Sequence, residues 1–72
     1  MTVRLSGNTY MVRDRLRQHG WAWEQASKCW RKEIAATNSD DAISAGHTAV
    51  HVAVGNRLGD YDAPQYTLEV VA

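Results

Sequence analysis

The side chains best suited to binding chemistry are basic and aromatic, and they lie close together in the first half of the sequence. Arg13 and Arg17 are four residues apart, which places both guanidinium groups on one face of a helix. Arg31 and Lys32 follow on a predicted hairpin near Trp21. Basic side chains can contact phosphates and an exposed indole can stack on an unpaired base, as in many single-strand binders. The alternative is a solvated face on which Trp21 packs against Lys32.

The other reactive side chains do not form a pattern typical of catalysis or metal binding. Cys29, the single cysteine, would need a nearby histidine to act as a nucleophile, and none is predicted beside it. His47 and His51 are four residues apart, but on a strand they would lie about 13 Å apart, too far to share one ion. Asp60 and Asp62 lack the further ligands of a calcium loop. We therefore expect no enzyme activity, no metal and no cofactor.

Length and composition predict one small domain over residues 1–72. A chain of 72 residues must bury most of its large apolar side chains to fold. The lone cysteine, and a sequence without a long apolar segment, predict a cytoplasmic protein with a reduced thiol. The net charge is zero, but seven basic and three acidic residues precede Ala35, whereas one basic and five acidic residues follow Ile34. Such polarity could orient a charged partner.

The first half of the chain predicts a strand, a helix and a hairpin. Alternation predicts a strand over Thr2–Leu5, and apolar residues at helical spacing predict a helix over Tyr10–His19 that ends at Gly20. A four-residue connection in the hairpin would pair Trp23 with Trp30. The side chains on the helix-facing side of this hairpin are then Trp21, Trp23, Trp30 and Ile34.

The second half predicts a short helix, two strands and a loop. Ser39–Gly46 has the early acidic residues and terminal glycine of a short helix. Alternation predicts strands over His47–Val54 and Tyr66–Val71, with a loop over Gly55–Gln65 whose tip, Tyr61, could contact a partner. We expect an α+β domain, with one main helix packed on a mainly antiparallel sheet of about five short strands and a second short helix.

Part of the chain resembles a recurrent unit of small proteins. The residues that carry the resemblance are Tyr10 to Leu16, followed by Gly20, Trp23, Lys28 and Trp30. They resemble the strand-helix-hairpin unit, with the pattern helix, G-x-x-W-D, K-x-W, of uncharacterised phage, plasmid and bacterial proteins, which is similar to part of the HARP domain of eukaryotic annealing helicases. The resemblance covers Val3 to Ile34. It implies a local fold and a mobile-element origin, and through HARP domains a role with branched or partly single-stranded DNA.

Two functions of different classes are open at this point. The first is a small non-catalytic interaction protein of phage or mobile-element origin that binds a host protein or a second copy of itself. Because the strand predicted at Thr48–Val54 carries few protecting charges, it could pair edge to edge in a homodimer. The second is a nucleic-acid-binding module that uses Arg13, Arg17 and Trp21. The second places Trp21 at the surface and Trp23 in the core.

Overall fold

The computed structural model describes residues 1–60 and 62–71, so that Tyr61, expected at a loop tip, lies outside the described residues. Over the described residues the chain forms four strands, two α-helices and two 3-10 turns. In chain order these are β1 (Thr2–Gly7), a turn (Tyr10–Val12), α1 (Arg13–Gln18), β2 (Ala22–Glu24), β3 (Cys29–Glu33), α2 (Ser39–Val54), a turn (Gly55–Leu58) and β4 (Tyr66–Val70).

The strands form one antiparallel sheet in the order β2-β3-β1-β4. Trp23 pairs with Trp30, so the predicted hairpin register is confirmed. Leu5 of β1 lies opposite Trp30 on one side and Leu68 on the other. The predicted α+β class and antiparallel sheet are therefore confirmed, with four strands among the described residues in place of about five.

The missing strand is the second half of α2. Ser39–Gly46 and His47–Val54, predicted as a short helix and a strand, form one continuous helix, which is the main helix of the fold. Its N-terminus is capped by Asn38, whose side-chain oxygen accepts a hydrogen bond from the Asp41 amide at 2.9 Å. Since Thr48–Val54 is helical, the homodimer predicted through this segment as a strand edge is wrong. The outer strands of the described sheet are β2 and β4.

The sequence predicts a helix that ends at Gly46. In the structure Gly46 lies within α2, at the point where this helix meets the sheet. It is buried, and a Cβ atom there would lie 2.6 Å from Cδ2 of Leu68 and 3.6 Å from Cγ2 of Val3. The lack of a side chain therefore lets α2 approach β1 and β4 closely. The helix ends instead at Gly55, whose φ of 65° is in the left-handed region.

The core lies between the two helices and one face of the sheet, whereas the other face is polar. On that polar face Arg4 forms an ion pair with Glu69 at 3.2 Å, and Arg31 forms one with Glu24. Within residues 1–60 and 62–71, neither helix has the length and apolar character needed to span a membrane. The largest buried apolar side chains of the core are Val3, Leu5, Val12, Leu16, Trp21, Trp30, Ile34, Val50, Val54, Leu58 and Tyr66.

Candidate binding groove

A groove of about 270 Å³ lies where the end of β1, the start of the helical segment and the hairpin meet. Its walls combine aromatic rings with two guanidinium groups. We term it the arginine-aromatic groove, and it is lined by Gly7, Asn8, Thr9, Tyr10, Arg13, Arg17, Trp23 and Trp30.

A pair of tryptophans on neighbouring strands forms one wall of the groove. Trp30 is buried, and its indole N–H donates a hydrogen bond to the hydroxyl oxygen of Thr9 at 3.0 Å. Trp23 meets Trp30 edge to face, with ring centroids 5.3 Å apart and an interplanar angle of 66°. Because β2 is an outer strand, Trp23 keeps 42% of its surface exposed. Its ring is thus the one tryptophan surface, among the described residues, that is open to a ligand.

Trp21 is buried, with 3% of its surface exposed, so its predicted surface position is wrong. The reason is the way α1 ends. Gly20, at φ 89°, donates its N–H to the Arg17 carbonyl at 3.2 Å, and Trp21 donates its N–H to the Leu16 carbonyl at 3.0 Å. These two bonds form a Schellman motif, which turns the chain so that the residue after glycine packs back against the last turn of the helix. Trp21 and Leu16 are accordingly both core residues.

The two helix arginines lie together on the groove, as the four-residue spacing predicted. The Arg13 guanidinium lies 3.9 Å from the centroid of the Tyr10 ring and donates to the Tyr10 carbonyl at 2.7 Å. The Arg17 guanidinium lies 5.7 Å from the Trp30 ring and 3.6 Å from a carboxylate oxygen of Asp14. A guanidinium has five N–H donors, so the contacts described leave each arginine with further donors that can bind an anion.

Arg31 and Lys32, the other two basic candidates, do not line the groove. Arg31 lies on the polar face of the sheet, where hydrogen bonds from Ser27 and then from Arg31 lower the pKa of Glu24. Lys32 donates from Nζ to the His19 carbonyl at 2.8 Å, at the end of α1. The predicted site is therefore divided, since only its two helix arginines share one surface.

Sequence reasoning missed the aromatic partners of these arginines. Tyr10 precedes Arg13 by three residues, a spacing that puts neighbours on one helical face, and this signal was available in the sequence. The sequence also identified Trp23 as the cross-strand neighbour of Trp30. It did not show that Trp21 is buried and Trp23 partly exposed, because this difference depends on where the short α1 ends. Asn8, on the turn between β1 and the helical segment, had no recognisable signal.

The histidines of α2 are closer than a strand would place them, because residues four apart on a helix are neighbours. Nδ1 of His47 lies 2.5 Å from the Tyr66 hydroxyl. Burial and, secondly, the charge of His51 lower the pKa of His47. Over residues 1–60 and 62–71, no group of three or more His, Cys, Asp or Glu side chains is placed to hold a metal ion.

The groove lies entirely within the segment from Val3 to Ile34 that resembles the strand-helix-hairpin unit. That resemblance stays a prediction. No protein-family model matches the chain, and searches of curated proteins and of solved structures find no match either.

Proposed function

We propose that this chain is a non-catalytic interaction module that binds single-stranded nucleic acid in the arginine-aromatic groove. The observation that carries the proposal is the position of Trp23, whose partly exposed ring shares one groove with Arg13 and Arg17. An exposed aromatic ring beside arginines is the combination with which proteins hold a strand without reading its sequence.

The chemistry of the two walls is complementary to a nucleotide. The Trp23 ring can stack on a base, which in single-strand binders contributes about 1–3 kcal/mol per base. Arg13 and Arg17 keep N–H donors that can bind the adjacent phosphates. Although the chain is neutral overall, the attraction felt by a strand depends on the charge near the groove.

The size of the groove favours a single strand over a duplex. Its volume, about 270 Å³, is below the roughly 300–1,000 Å³ typical of pockets that enclose a drug-sized ligand. A flat ring of one base fits such a space, but a base pair within a stacked duplex does not expose its ring face. An unpaired base is therefore the form in which nucleic acid can reach Trp23.

Fluorescence anisotropy of a labelled single-stranded oligonucleotide, titrated at low and at physiological salt, tests the proposal. We expect Trp23→Ala and the double variant Arg13→Ala/Arg17→Ala each to weaken binding by at least tenfold, which corresponds to about 1.4 kcal/mol. Arg15→Ala is the control, because it removes one positive charge, against two in the double variant, from the same helix at a residue that does not line the groove. Far-ultraviolet circular dichroism of each variant tests whether it is folded.

Two results would contradict the proposal. One is a flat titration of the wild-type protein at both salt concentrations. The other is an Arg15→Ala variant that loses as much affinity as the double variant, because binding would then depend on total charge and not on the groove.

A protein partner is the second candidate, and the exposed apolar side chains beside the groove favour it. Tyr10 is 67% exposed and Met11 is 83% exposed, and aromatic residues, methionine and arginine are enriched in protein interfaces. The partner would be a host protein of a mobile element or a second copy of the chain. Light scattering after size-exclusion chromatography tests the second copy. A dimer that Met11→Lys dissociates would support it, and a monomer at all concentrations would exclude it.

A further inference from the structure

A second groove, of about 340 Å³, lies on the other side of the turn that follows β1. Its base is apolar, because Val12 and Leu58 are both buried. Met11 is an exposed apolar residue of the lining, and the polar residues of the lining are Asn8, Arg57 and Gln65.

The two grooves share one residue of their lining. Asn8 lines both of them, and Tyr10 of the first groove is followed directly in the chain by Met11 of the second. A flexible chain that leaves the arginine-aromatic groove on the side of Asn8 can therefore reach the second groove by passing over this one shared residue. Asn8 also offers an amide that can donate to and accept from a ligand passing over it.

Arg57 is the basic residue of this second groove. Because it belongs to an acidic part of the sequence, its place in a binding groove could not be inferred from the sequence. It is the only lysine or arginine after Ile34, where five acidic residues surround it in sequence. Of the ion pairs among the described residues, none includes Arg57. The nearby Asp60 carboxylate accepts hydrogen bonds from the amides of Asp62 and Ala63, which ties it to its own turn. The fold thus places a guanidinium that has no ion-pair partner among the described residues in the lining of the second groove.

We infer that a bound single strand continues from the arginine-aromatic groove past Asn8 into the second groove, where Arg57 contacts a backbone phosphate. This inference rests on the proposed function and adds to it the path of the strand and a further binding residue. Met11 and Leu58 provide apolar surface for the base that accompanies this phosphate. Arg57 then contributes to affinity for strands long enough to fill both grooves, but not for strands that fill only the first.

The experiment compares Arg57→Ala with the wild-type protein on oligothymidylate strands of two lengths. The short strand is the shortest that quenches tryptophan fluorescence of the wild-type protein at low salt, and the long strand has six more nucleotides. We expect Arg57→Ala to bind the short strand as well as the wild type does and the long strand about three- to tenfold more weakly. For the long strand, the slope of log affinity against log salt should fall by about 0.7, the value for one phosphate contact with a single strand. Arg15→Ala is again the control, because Arg15 lines neither groove.

The outcomes separate this inference from the proposed function. Two results would overturn the role of the second groove and leave the role of the first intact. In one, Arg57→Ala binds the long strand as tightly as the wild type does. In the other, Arg57→Ala loses the same affinity for both strands. If no strand of either length binds, both proposals fail together. A loss confined to the long strand, with the short strand still sensitive to Trp23→Ala, supports both.

Discussion

The indole N–H of Trp30 donates to the hydroxyl oxygen of Thr9 over a distance of 3.0 Å, and the bond is shielded from solvent. It joins β3 to the turn that leads into the helical segment, so it fixes the relative position of the tryptophan wall and the arginine wall of the groove. Thr9 is the one polar residue that is buried among those described. Its hydroxyl therefore has a structural role that a methyl group cannot replace.

We expect Thr9→Val to destabilise the protein by about 1–3 kcal/mol. Valine keeps the shape of threonine but removes the acceptor, which leaves a buried indole N–H unpaired. Thr9→Ser keeps the acceptor and is the control, with a smaller loss from the missing methyl group. Urea denaturation followed by circular dichroism measures both. A Thr9→Val variant as stable as Thr9→Ser would show that the bond contributes nothing.

Trp21 and Trp23 should respond in opposite ways to truncation. Trp21 is 3% exposed, so Trp21→Ala leaves a large cavity and should cost about 3–5 kcal/mol, a large part of the stability of a domain this small. Trp23 is 42% exposed, and Trp23→Ala should cost less, about 1–2 kcal/mol, mainly from its lost contact with Trp30. Urea denaturation of the two variants checks this order. A larger loss for Trp23→Ala would restore the surface position first expected for Trp21.

The parts of the fold that could be predicted are those set by local patterns of large side chains. The hairpin register follows from the pairing of Trp23 with Trp30 and from the polar residues between them. The end of α1 follows from Gly20, and the shared face of Arg13 and Arg17 follows from helical geometry. In each case the deciding residues lie within one element or one turn of each other.

The parts that could not be predicted depend on small residues or on distant contacts. The buried face of α2 includes Ala42, Gly46 and Ala53, which have helical spacing but are too small to give a clear apolar signal, whereas its valines alternate as in a strand. The position of Arg57 in the second groove depends on how the turn after α2 packs against the turn before α1. Neither turn carries a sequence pattern that specifies this contact.

The close approach of α2 to the sheet makes position 46 sensitive to size. A Cβ atom at Gly46 would already lie 2.6 Å from the Leu68 side chain, so Gly46→Leu should push the helix from the sheet and destabilise the protein by more than about 2 kcal/mol. Ser44→Leu, on the exposed side of the same helix, should change stability by less than about 0.5 kcal/mol. Thermal unfolding of both variants measures the difference. Equal melting temperatures would show that α2 does not need its glycine.

His47 should make the stability fall as the solution becomes mildly acidic. Burial and the charge of His51 lower the pKa of His47, whereas an unfolded histidine has a pKa of about 6.5. The unfolded chain therefore takes up a proton at His47 before the folded protein does. The stability that this shift provides is fully present above about pH 6.5 and is lost as the pH falls through the lower pKa of the folded state.

Melting temperatures measured between about pH 7.5 and pH 5 test this dependence. Hydrogen bonds from Ser27 and Arg31 lower the pKa of Glu24, and those from Thr2 and the N-terminus lower the pKa of Glu33, so both carboxylates stay ionised over this range. We expect His47→Gln to flatten the decline in melting temperature, whatever its effect on stability at pH 7.5. His19→Gln, which changes an exposed histidine, should keep the wild-type slope. If the two variants show the same slope, the acid sensitivity does not arise from the partly buried imidazole of His47 beside Tyr66.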